Sequence, residues 1–479
     1  MENKTMMTDL YELTMAQVYF NSNEKDKVAV FDAFFRREPL NAGYGIMAGL
    51  DRVIEYIKNL KFTEENIKYL RSLNLFTEDF LEYLANFKFT GDIYAIPDGT
   101  PVFRNEPLIT VKAPIIEAQI IETALLSYLN ASICYTTATK KVTEAAKDIG
   151  VMEFGARRAF GPDAAVEASK CSIIGGAMGT SNVLAGEKYG IPVLGTMAHS
   201  LVTEADSEYE AFLNYAKTYP NNCMLLVDTY DVLKSGVPNA IKVANDYLIP
   251  NGYRLKGIRI DSGDLAYLSK ESKKMLIDAG MGDAKICLSN GLKPETIKTL
   301  IDQGAIIDSI GLGDNIVAPD NARVGVVYKN VGIVKNGSII PKIKLSSDSE
   351  KTINPGYKKV YRFYDKVTGY ALGDLITVHD EIIPENEYVL IDPNDETNQT
   401  KLKNYVVREL QEKIFINGEL VYKDLELLEK KEYCNKEMQT LYPEIRRIYN
   451  PHKYYVDLSE KLLSLKKEMI INNKMSING

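Results

Sequence analysis

The sequence predicts an α/β protein whose centre is an irregular (β/α) barrel. From about residue 150, short apolar runs recur roughly every 30 residues: VMEF at 151–154, IPVLGT at 191–196, CMLLVD at 223–228, LKGIRID at 255–261, AKICLS at 284–289 and IDSIGLG at 307–313. Amphipathic stretches such as LAYLSKESKKMLIDAG and PETIKTLIDQG lie between them. Strands that alternate with helices at this spacing form βαβ units and a parallel sheet. A barrel is the arrangement that we expect from them.

Two other regions flank this pattern. Residues 1–130 mix helical spacing, as in GIMAGLDRVIEYIKNL, with alternating stretches typical of strands. After about residue 325, VYKNVGIVKNGSIIPKIKL and KKVYRFYDKVTGYALGD predict hairpins with Asn-Gly and Thr-Gly turns. The chain from 424 onward is expected to be mostly helical. We therefore expect an N-terminal α/β domain at 1–130, the barrel at 131–330 and a C-terminal β-plus-helix extension at 331–479.

The composition excludes several classes of function. The net charge of −8 argues against a nucleic-acid partner, although a few arginines and helix N-termini can still hold a small anion. The five cysteines are widely spaced and form no C-x-x-C, which is typical of reduced thiols. No signal-peptide layout occurs at the start, and no apolar run reaches the roughly 20 residues of a membrane span. We expect a cytoplasmic protein without a membrane or nucleic-acid partner.

Polar residues follow the predicted strands at their C-terminal ends, where ligands bind in a parallel barrel. The residues at these positions are Glu153, Phe154, Arg157 and Arg158, then Thr196, His199 and Ser200, then Arg259, Asp261, Ser262 and Asp264, then Ser289, Asn290 and Gly291, and finally Gly311, Gly313 and Asp314. The loops SNGL and GLGDN are typical of phosphate binding, because glycine lets backbone N–H groups approach a phosphate. With the arginines and carboxylates, they indicate a phosphorylated sugar and a second anionic group.

Each of these residues also has a structural interpretation. Adjacent arginines are often surface charges, Gly-Leu-Gly is often a tight turn, and Asp264 could simply cap the following helix. Asp261 could accept hydrogen bonds from paired sugar hydroxyls or hold Mg²⁺. His199 could be a structural histidine, but it is one of only three in the chain and stands at a strand end. That place favours a role as an acid/base or as a nucleophile toward a phosphoryl group.

Five spaced motifs occur in a fixed order: TDLYELTMAQVYF, FDAFFRREP, EFGARRAFGPDAAVEASKCSIIGGAMGTSNVLAG, GTMAHS and IRIDSGDL. In this order they resemble the nicotinate phosphoribosyltransferase family from residue 7 to about residue 330. The resemblance implies that nicotinate reacts with 5-phosphoribosyl 1-diphosphate to give nicotinate mononucleotide and diphosphate. It implies coupled ATP hydrolysis with Mg²⁺, a place in NAD salvage, and a homodimer with the active site at the subunit interface. It also implies the N-terminal α/β domain, irregular barrel and C-terminal extension of a type II phosphoribosyltransferase.

The resemblance assigns four residues to the base. Tyr11 matches an aromatic residue that reaches across the dimer to stack on the pyridine ring, and Phe154 resembles the opposite face of that sandwich. Arg259 and Thr196 match positions that contact nicotinate.

The remaining expected contacts concern the phosphates, the ribose and ATP. Arg157 resembles a residue at the substrate phosphates, and Asp261 resembles the acceptor for the ribose hydroxyls. His199 matches the histidine that ATP phosphorylates. We also expect substrate contacts from the two glycine loops, namely Asn290, Gly291, Gly313 and Asp314. Asp314 departs from the family pattern, in which threonine is common there, and no residue is assigned to the metal.

Four alternatives remain open at this stage. Nicotinamide phosphoribosyltransferase is expected to place an extra acid in the base pocket, and GTMAHS offers none. Quinolinate phosphoribosyltransferase is expected to need more basic residues for its second carboxylate and no ATP. A phosphosugar isomerase or aldolase on a TIM barrel would require a Schiff-base lysine or a Glu/His pair at strand ends. A non-catalytic binding barrel would not require so many polar strand ends.

Overall fold

The computed structural model describes residues 3–345, 352–393 and 395–478, with residues 474–478 described by their backbone alone. The contacts within the chain divide it into two units. Unit 1 comprises residues 1–134 and 321–479, and unit 2 comprises residues 135–320. The division falls inside one long helix, Glu122–Ala146.

The helices and strands follow one another as three groups along the chain. The first group is α1 Leu10–Asn21, β1 Val28–Phe34, β2 Gly45–Ile46, α2 Leu50–Lys58, α3 Glu64–Ser72, α4 Glu78–Ala85, β3 Asp92–Ala95, β4 Pro101–Val102, β5 Ile109–Pro114, α5 Ile115–Ile120 and α6 Glu122–Ala146. The second is β6 Gly150–Glu153, α7 Pro162–Ile174, β7 Gly179–Thr180, α8 Val183–Tyr189, α9 His199–Glu204, α10 Glu208–Thr218, β8 Met224–Leu226, α11 Val237–Val243, β9 Gly257–Ile260, α12 Leu265–Asp278, β10 Lys285–Leu288, α13 Pro294–Asp302, β11 Ser309–Leu312 and α14 Asp314–Val317. The third is β12 Val327–Lys335, β13 Ser338–Pro341, β14 Lys358–Asp365, β15 Ala371–Val378, β16 Glu387–Ile391, β17 Gln399–Lys403, β18 Tyr405–Glu409, β19 Glu412–Ile416, β20 Glu419–Leu420, α15 Leu427–Gln439, β21 Val456–Leu458 and α16 Glu460–Asn478.

Unit 2 is built on a parallel sheet with the strand order β7-β6-β11-β10-β9-β8. Ile258, Ile286 and Ile310 on its central strands are fully buried, as expected where helices cover both faces of a parallel sheet. The predicted α/β class with a parallel core is therefore confirmed. Because the strands are parallel, their C-terminal ends lie at one edge, and the loops that follow them meet there.

One predicted strand is wrong. The run at 191–196 forms no regular strand, and a single parallel bridge joins Val193 to Thr180 beside β7. Pro192 has no N–H to donate to a strand ladder, which explains why the pairing stops after one step. Within the described pairings the sheet runs from β7 to β8 and no pairing joins these two strands, so the barrel stays a prediction.

Unit 1 contains a seven-stranded antiparallel sheet with the order β13-β12-β1-β5-β3-β19-β20. Both predicted hairpins are confirmed. β12 and β13 are joined by Asn336-Gly337, whose φ values of 53° and 76° are those of a tight hairpin turn. β14 and β15 turn at Gly369, with φ of 74°, and belong to a four-stranded sheet with the order β18-β14-β15-β21.

The sheet of unit 1 combines strands that are far apart in sequence. β1, β3 and β5 come from the first part of the chain, whereas β19 and β20 come from the predicted extension. The division into three domains stays a prediction. Within the described residues, no helix combines the length and the apolar composition that crossing a bilayer requires.

Candidate active site

A cavity of about 590 Å³ opens at the C-terminal edge of the parallel sheet in unit 2. The predicted substrate residues that line it are Phe154, Arg157, Thr196, Arg259, Asp261, Asn290, Gly291, Gly313 and Asp314. The structure therefore brings together residues from the ends of four strands, β6, β9, β10 and β11, and from the irregular segment at 191–196. Two predicted residues, His199 and Tyr11, are not among those that line it.

Arg259 lies on β9, and within the described residues one hydrogen bond holds its guanidinium. Its Nη1 donates to Thr196 Oγ1 at 2.8 Å. Its Nε is buried and has no hydrogen-bond partner among the described residues. A buried donor without an acceptor is costly, and a carboxylate accepts two parallel N–H bonds from a guanidinium. Arg259 is therefore suited to a planar carboxylate in the cavity.

Phe154 supplies an aromatic face beside this guanidinium. It follows β6, and its ring lies against Gly311 on β11. A Cβ at Gly311 would lie 2.4 Å from Cε2 of the Phe154 ring, which is closer than real side chains approach. The ring of Phe154 thus requires glycine at 311. The first glycine of GLG is therefore better explained by packing than by phosphate binding.

Asp261 and the loop after β10 form another wall of the cavity. The buried Ser289 donates its hydroxyl to Asp261 Oδ1 and so orients that carboxylate. Asn290 and Gly291 both have positive φ, of 103° and 50°, which turns the loop sharply after the strand. Asn315 Nδ2 donates to the carbonyl oxygens of Gly291 and Leu292 and holds the turn.

The two adjacent arginines differ in their partners. Arg158 Nε lies 3.4 Å from Asp314 Oδ1 in a pair whose side chains are more than half exposed. No carboxylate in the described part of the chain pairs with Arg157, which is also exposed and lines the cavity. Asp314 is thus balanced by Arg158, whereas Arg157 has no ion-pair partner among the described residues.

His199 is the first residue of α9 and lies at the margin of the cavity-lining segment, next to Ala198. Its Nδ1 is 3.0 Å from Thr229 Oγ1, a contact in which either atom can donate. Its Nε2 is 3.9 Å from one oxygen of Asp228 and 3.9 Å from one of Asp261, which is beyond hydrogen-bond range. The imidazole is 42% exposed and stands between two carboxylates.

Asp228 is the functional candidate that the sequence reasoning missed. Its side chain is only 2% exposed, and its Oδ1 has no hydrogen-bond partner among the described residues. Its Oδ2 accepts from Ser262 Oγ at 2.6 Å. The sequence did contain a signal for it. Asp228 ends the apolar run CMLLVD just after β8, at the same edge as the other strand-end residues.

Glu153 is a strand-end residue that holds together the elements next to the cavity. It is fully buried, and its carboxylate accepts from Gly155 N, Ser169 Oγ and Thr180 Oγ1. These three donors belong to the loop after β6, to α7 and to β7. Glu153 therefore joins three elements next to Phe154 and does not itself line the cavity.

Tyr11 lies in unit 1, on α1, and is 45% exposed. Burial of part of the ring and the negative charge of the nearby Glu122 raise the pKa of Tyr11 well above its usual value. The neighbouring Glu12 is fully buried and accepts from the backbone N–H of Thr123 at 3.0 Å. Glu12 therefore fixes helix α1 to the start of α6.

A pre-built metal centre is not evident. Across residues 3–345, 352–393 and 395–478, no three His, Cys, Asp or Glu side chains cluster in a way that could hold a metal ion. Asp228 and Asp261 face His199 as separate carboxylates. A hard cation at this edge would therefore need ligands from a substrate as well.

Three sequence profiles of one family match the chain. They are described as the nicotinate phosphoribosyltransferase N-terminal domain over residues 6–130, the nicotinate phosphoribosyltransferase family over 149–359, and the nicotinate phosphoribosyltransferase C-terminal domain over 357–466. A nicotinate phosphoribosyltransferase of Bacillus subtilis (strain 168) is 42% identical over 480 residues, covering 99% of this chain and 97% of that protein. That of Homo sapiens is 30% identical and covers 96% of each chain.

Two solved structures are similar over almost the whole chain. The crystal structure of human nicotinic acid phosphoribosyltransferase has a TM-score of 0.83 at 27% identity and covers 97% of this chain and 99% of its own. The nicotinate-nucleotide pyrophosphorylase of Pyrococcus furiosus has a TM-score of 0.70 at 23% identity and covers 91% and 96%. At that identity the second similarity supports the fold alone.

Proposed function

The chain belongs to the nicotinate phosphoribosyltransferase family, and from that premise we propose that it joins nicotinate to 5-phosphoribosyl 1-diphosphate. The products are nicotinate mononucleotide and diphosphate, so the enzyme is a glycosyltransferase that contributes to NAD biosynthesis by salvage. The observation that carries the proposal is Arg259, whose buried Nε has no partner in the described part of the chain and whose Nη1 is fixed by Thr196.

In this proposal the carboxylate of nicotinate accepts from Arg259 while the pyridine ring lies on Phe154. A charge-assisted hydrogen bond contributes about 1.5–3 kcal/mol, which corresponds to roughly a 10- to 150-fold preference over the neutral amide. Offset stacking on an aromatic ring adds about 0.5–1.5 kcal/mol. Together these contacts fix the ring nitrogen toward the ribose carbon that it attacks.

Asp261 accepts from the ribose hydroxyls, with its carboxylate oriented by Ser289. Arg157 neutralises charge that develops on the leaving diphosphate, which fits the absence of a carboxylate partner for it among the described residues. The turns at Asn290-Gly291 and at Gly313 offer backbone N–H groups to phosphate oxygens. Bond formation to the base and loss of diphosphate need no covalent contribution from the protein.

The residues at this edge could supply the protein ligands of a magnesium ion, and its other ligands would come from water and substrate phosphates. Asp228 and Asp261 would hold it, and Oδ1 of the buried Asp228, which has no partner among the described residues, supports that assignment. Mg²⁺ keeps several of its ligands for water and substrate phosphates, so two carboxylates suffice. When bound, it would neutralise phosphate charge.

We propose that ATP phosphorylates His199. An imidazole nitrogen attacks the γ-phosphorus, the bond to the β,γ-bridging oxygen breaks, and ADP leaves with the electron pair while a nearby carboxylate takes the imidazole proton. His199 stands between Asp228 and Asp261, which supports the transfer of its imidazole proton to one of these carboxylates. The added negative charge beside Asp261 would reorganise this edge and so couple ATP to substrate binding.

Three further features belong to the proposal. We propose a homodimer in which Tyr11 of the partner subunit covers the second face of the pyridine. The exposed apolar side of α1 supports this, because its apolar side chains are between 36% and 60% exposed, namely Leu10, Tyr11, Met15 and Val18.

We propose that the parallel sheet is part of an irregular barrel, as the bridge at Val193 suggests. A cytoplasmic location fits the five buried cysteines, none of which forms a disulfide.

The experiment that tests the function is diphosphate release by the purified protein with the ribosyl donor and Mg²⁺. Nicotinate and nicotinamide are compared, each with and without ATP. We expect turnover on nicotinate that ATP stimulates. Preference for nicotinamide would overturn the assignment of Arg259, and absence of turnover on both bases would overturn the function.

A further inference from the structure

The loop that follows β8 carries a threonine in contact with His199. Thr229 is half-buried, and its Oγ1 lies 3.0 Å from His199 Nδ1. Within the described residues this is the one hydrogen bond of the imidazole, because the nearest oxygens of Asp228 and Asp261 stay 3.9 Å from Nε2. The orientation of a ring that is 42% exposed therefore depends on a single hydroxyl.

The imidazole of His199 has several orientations open to it without that hydroxyl. A histidine side chain has three staggered wells about χ1 and a roughly two-fold preference about χ2, which gives about six orientations. A half-turn about χ2 alone would put carbon atoms where Nδ1 and Nε2 stand. In the observed orientation Nδ1 meets Thr229, and Nε2 stands between the two carboxylates.

Hydrogen bonds fix both ends of the loop that holds Thr229. On one side, Val227 N donates to Arg259 O at 3.1 Å and continues the pairing of β8 with β9. On the other side, Asp231 Oδ1 accepts from the backbone N–H groups two and three residues further along the chain, at 3.0 and 2.8 Å. Thr229 is thus presented from a short loop whose ends are both held.

Gly236 brings the chain after this loop back against the end of β8. The segment Val232–Gly236 forms a wide, π-helical turn, a kind of turn that often occurs at functional sites. A Cβ at Gly236 would lie 1.9 Å from Val227 O, so only glycine permits this approach. The turn therefore packs directly on the backbone that precedes Thr229 by two residues.

Glu208 joins this turn to the segment that carries His199. It is the first residue of α10, which follows α9 along the chain, and it is 5% exposed. Its Oε2 accepts from Asn239 Nδ2 at 2.9 Å and from the hydroxyl of Ser235. A buried carboxylate therefore holds together the two segments from which His199 and Thr229 meet.

We infer that Thr229 is a positioning residue for His199, whose hydroxyl keeps the imidazole directed toward Asp228 and Asp261 for phosphoryl transfer from ATP. Thr229 is not among the residues that line the cavity assigned to nicotinate and the ribosyl donor. The inference rests on the proposed phosphorylation of His199. It adds that the hydroxyl acts on the rate of that step and not on the affinity for ATP.

The test is the rate at which the full chain takes up acid-labile label from γ-labelled ATP. Thr229→Val keeps the shape of the side chain and removes its hydroxyl. We expect labelling to be about fivefold slower, because the imidazole then spreads over its other orientations. The KM for ATP and the basal release of diphosphate should not change. Thr229→Ser keeps a hydroxyl and should label almost as fast as the unaltered protein, a rescue that a purely structural role would not produce.

Thr203→Val is the matched control, because Thr203 lies on α9 with His199 and its Oγ1 donates to Ser200 O at 3.3 Å. It should label as fast as the unaltered protein. Equal labelling in Thr229→Val and the unaltered protein would overturn the positioning role and leave the phosphorylation of His199 in place. So would a Thr229→Ser variant that labels as slowly as Thr229→Val, or a loss of basal diphosphate release that matches the loss of labelling. If the unaltered protein takes up no label, the proposed phosphorylation of His199 is wrong and this inference fails with it.

Discussion

Arg259 Nη1 donates to Thr196 Oγ1 at 2.8 Å, and this contact ties the end of β9 to the irregular segment that follows β7 and α8. The hydroxyl fixes one edge of the guanidinium, and no described residue accepts from the buried Nε. A side chain held in this way is pre-organised, so little rotamer entropy is lost when a carboxylate binds.

Arg259→Gln should therefore raise KM for nicotinate by roughly 10- to 150-fold, the equivalent of about 1.5–3 kcal/mol. The KM for nicotinamide should change little, because the amide does not benefit from the positive charge. Steady-state kinetics on both bases measures the difference. Arg254→Gln is the control, since Arg254 forms an exposed pair with Asp283 in the same unit. An unchanged ratio of the two KM values in Arg259→Gln would contradict the assignment.

Gly311→Ala should displace the ring of Phe154. The new Cβ would lie 2.4 Å from the ring, and overpacking of this kind costs about 1–3 kcal/mol. We expect a lower free energy of unfolding in urea together with weaker binding of nicotinate, and little change in KM for the ribosyl donor. Gly282→Ala is the matched control, because a Cβ there meets only Ile277 Cγ1 at 3.4 Å. If Gly311→Ala binds nicotinate normally, the ring does not contribute to the base site.

The sequence could predict which strand ends meet, but not how the side chains there pair. Parallel strands place Phe154, Arg259 and Asp261 at one edge whatever the details of packing, so periodicity was sufficient for them. The pairing of Arg158 with Asp314 joins the segment after β6 to the start of α14, which are far apart in sequence, and no periodic pattern encodes it. The prediction of a strand at 191–196 was wrong because it rested on the apolar run and gave too little weight to Pro192. The missing N–H of proline limits strand pairing.

Ser289→Ala should weaken binding of the ribosyl donor, because Asp261 loses the hydroxyl that orients it. A hydrogen bond of this kind contributes on the order of 1 kcal/mol, so we expect KM for the donor to rise about fivefold with KM for nicotinate unchanged. Ser172→Ala removes a buried hydroxyl that donates only to Ser169 O within α7, and it should leave both constants unaltered. Equal changes in the two KM values would point to a general disturbance of the cavity.

Glu12 should give unit 1 a pH-dependent stability. Burial raises the pKa of its carboxyl from 4.5 to about 7, although the threonines that donate to it act in the opposite direction. The folded chain thus holds a proton that the unfolded chain has released, so this group opposes folding increasingly as the pH rises from about 4.5 to about 7. Glu12→Gln keeps the shape of the side chain and removes this pH-dependent loss of stability.

We therefore expect the free energy of unfolding of Glu12→Gln, relative to the unaltered protein, to increase between pH 4.5 and pH 7 by on the order of 3 kcal/mol. Urea unfolding at the two pH values measures it. Glu65→Gln, at an exposed position on α3, should show no such trend. If the difference in the free energy of unfolding between Glu12→Gln and the unaltered protein does not vary with pH, the pKa of the Glu12 carboxyl is not raised in the folded state.

His199→Asn tests the proposed coupling to ATP. Asparagine cannot accept a phosphoryl group as an imidazole does, whereas Arg259, Phe154 and Asp261 remain in place to bind both substrates. We expect basal diphosphate release on nicotinate to persist and its stimulation by ATP to disappear, together with loss of acid-labile label from γ-labelled ATP. His452→Asn, at an exposed position in unit 1, should keep both the stimulation and the label. If ATP stimulates His199→Asn as strongly as the unaltered protein, the imidazole between Asp228 and Asp261 is not the phosphoryl acceptor. Its contact with Thr229 at 3.0 Å would then be the simpler reason for its position.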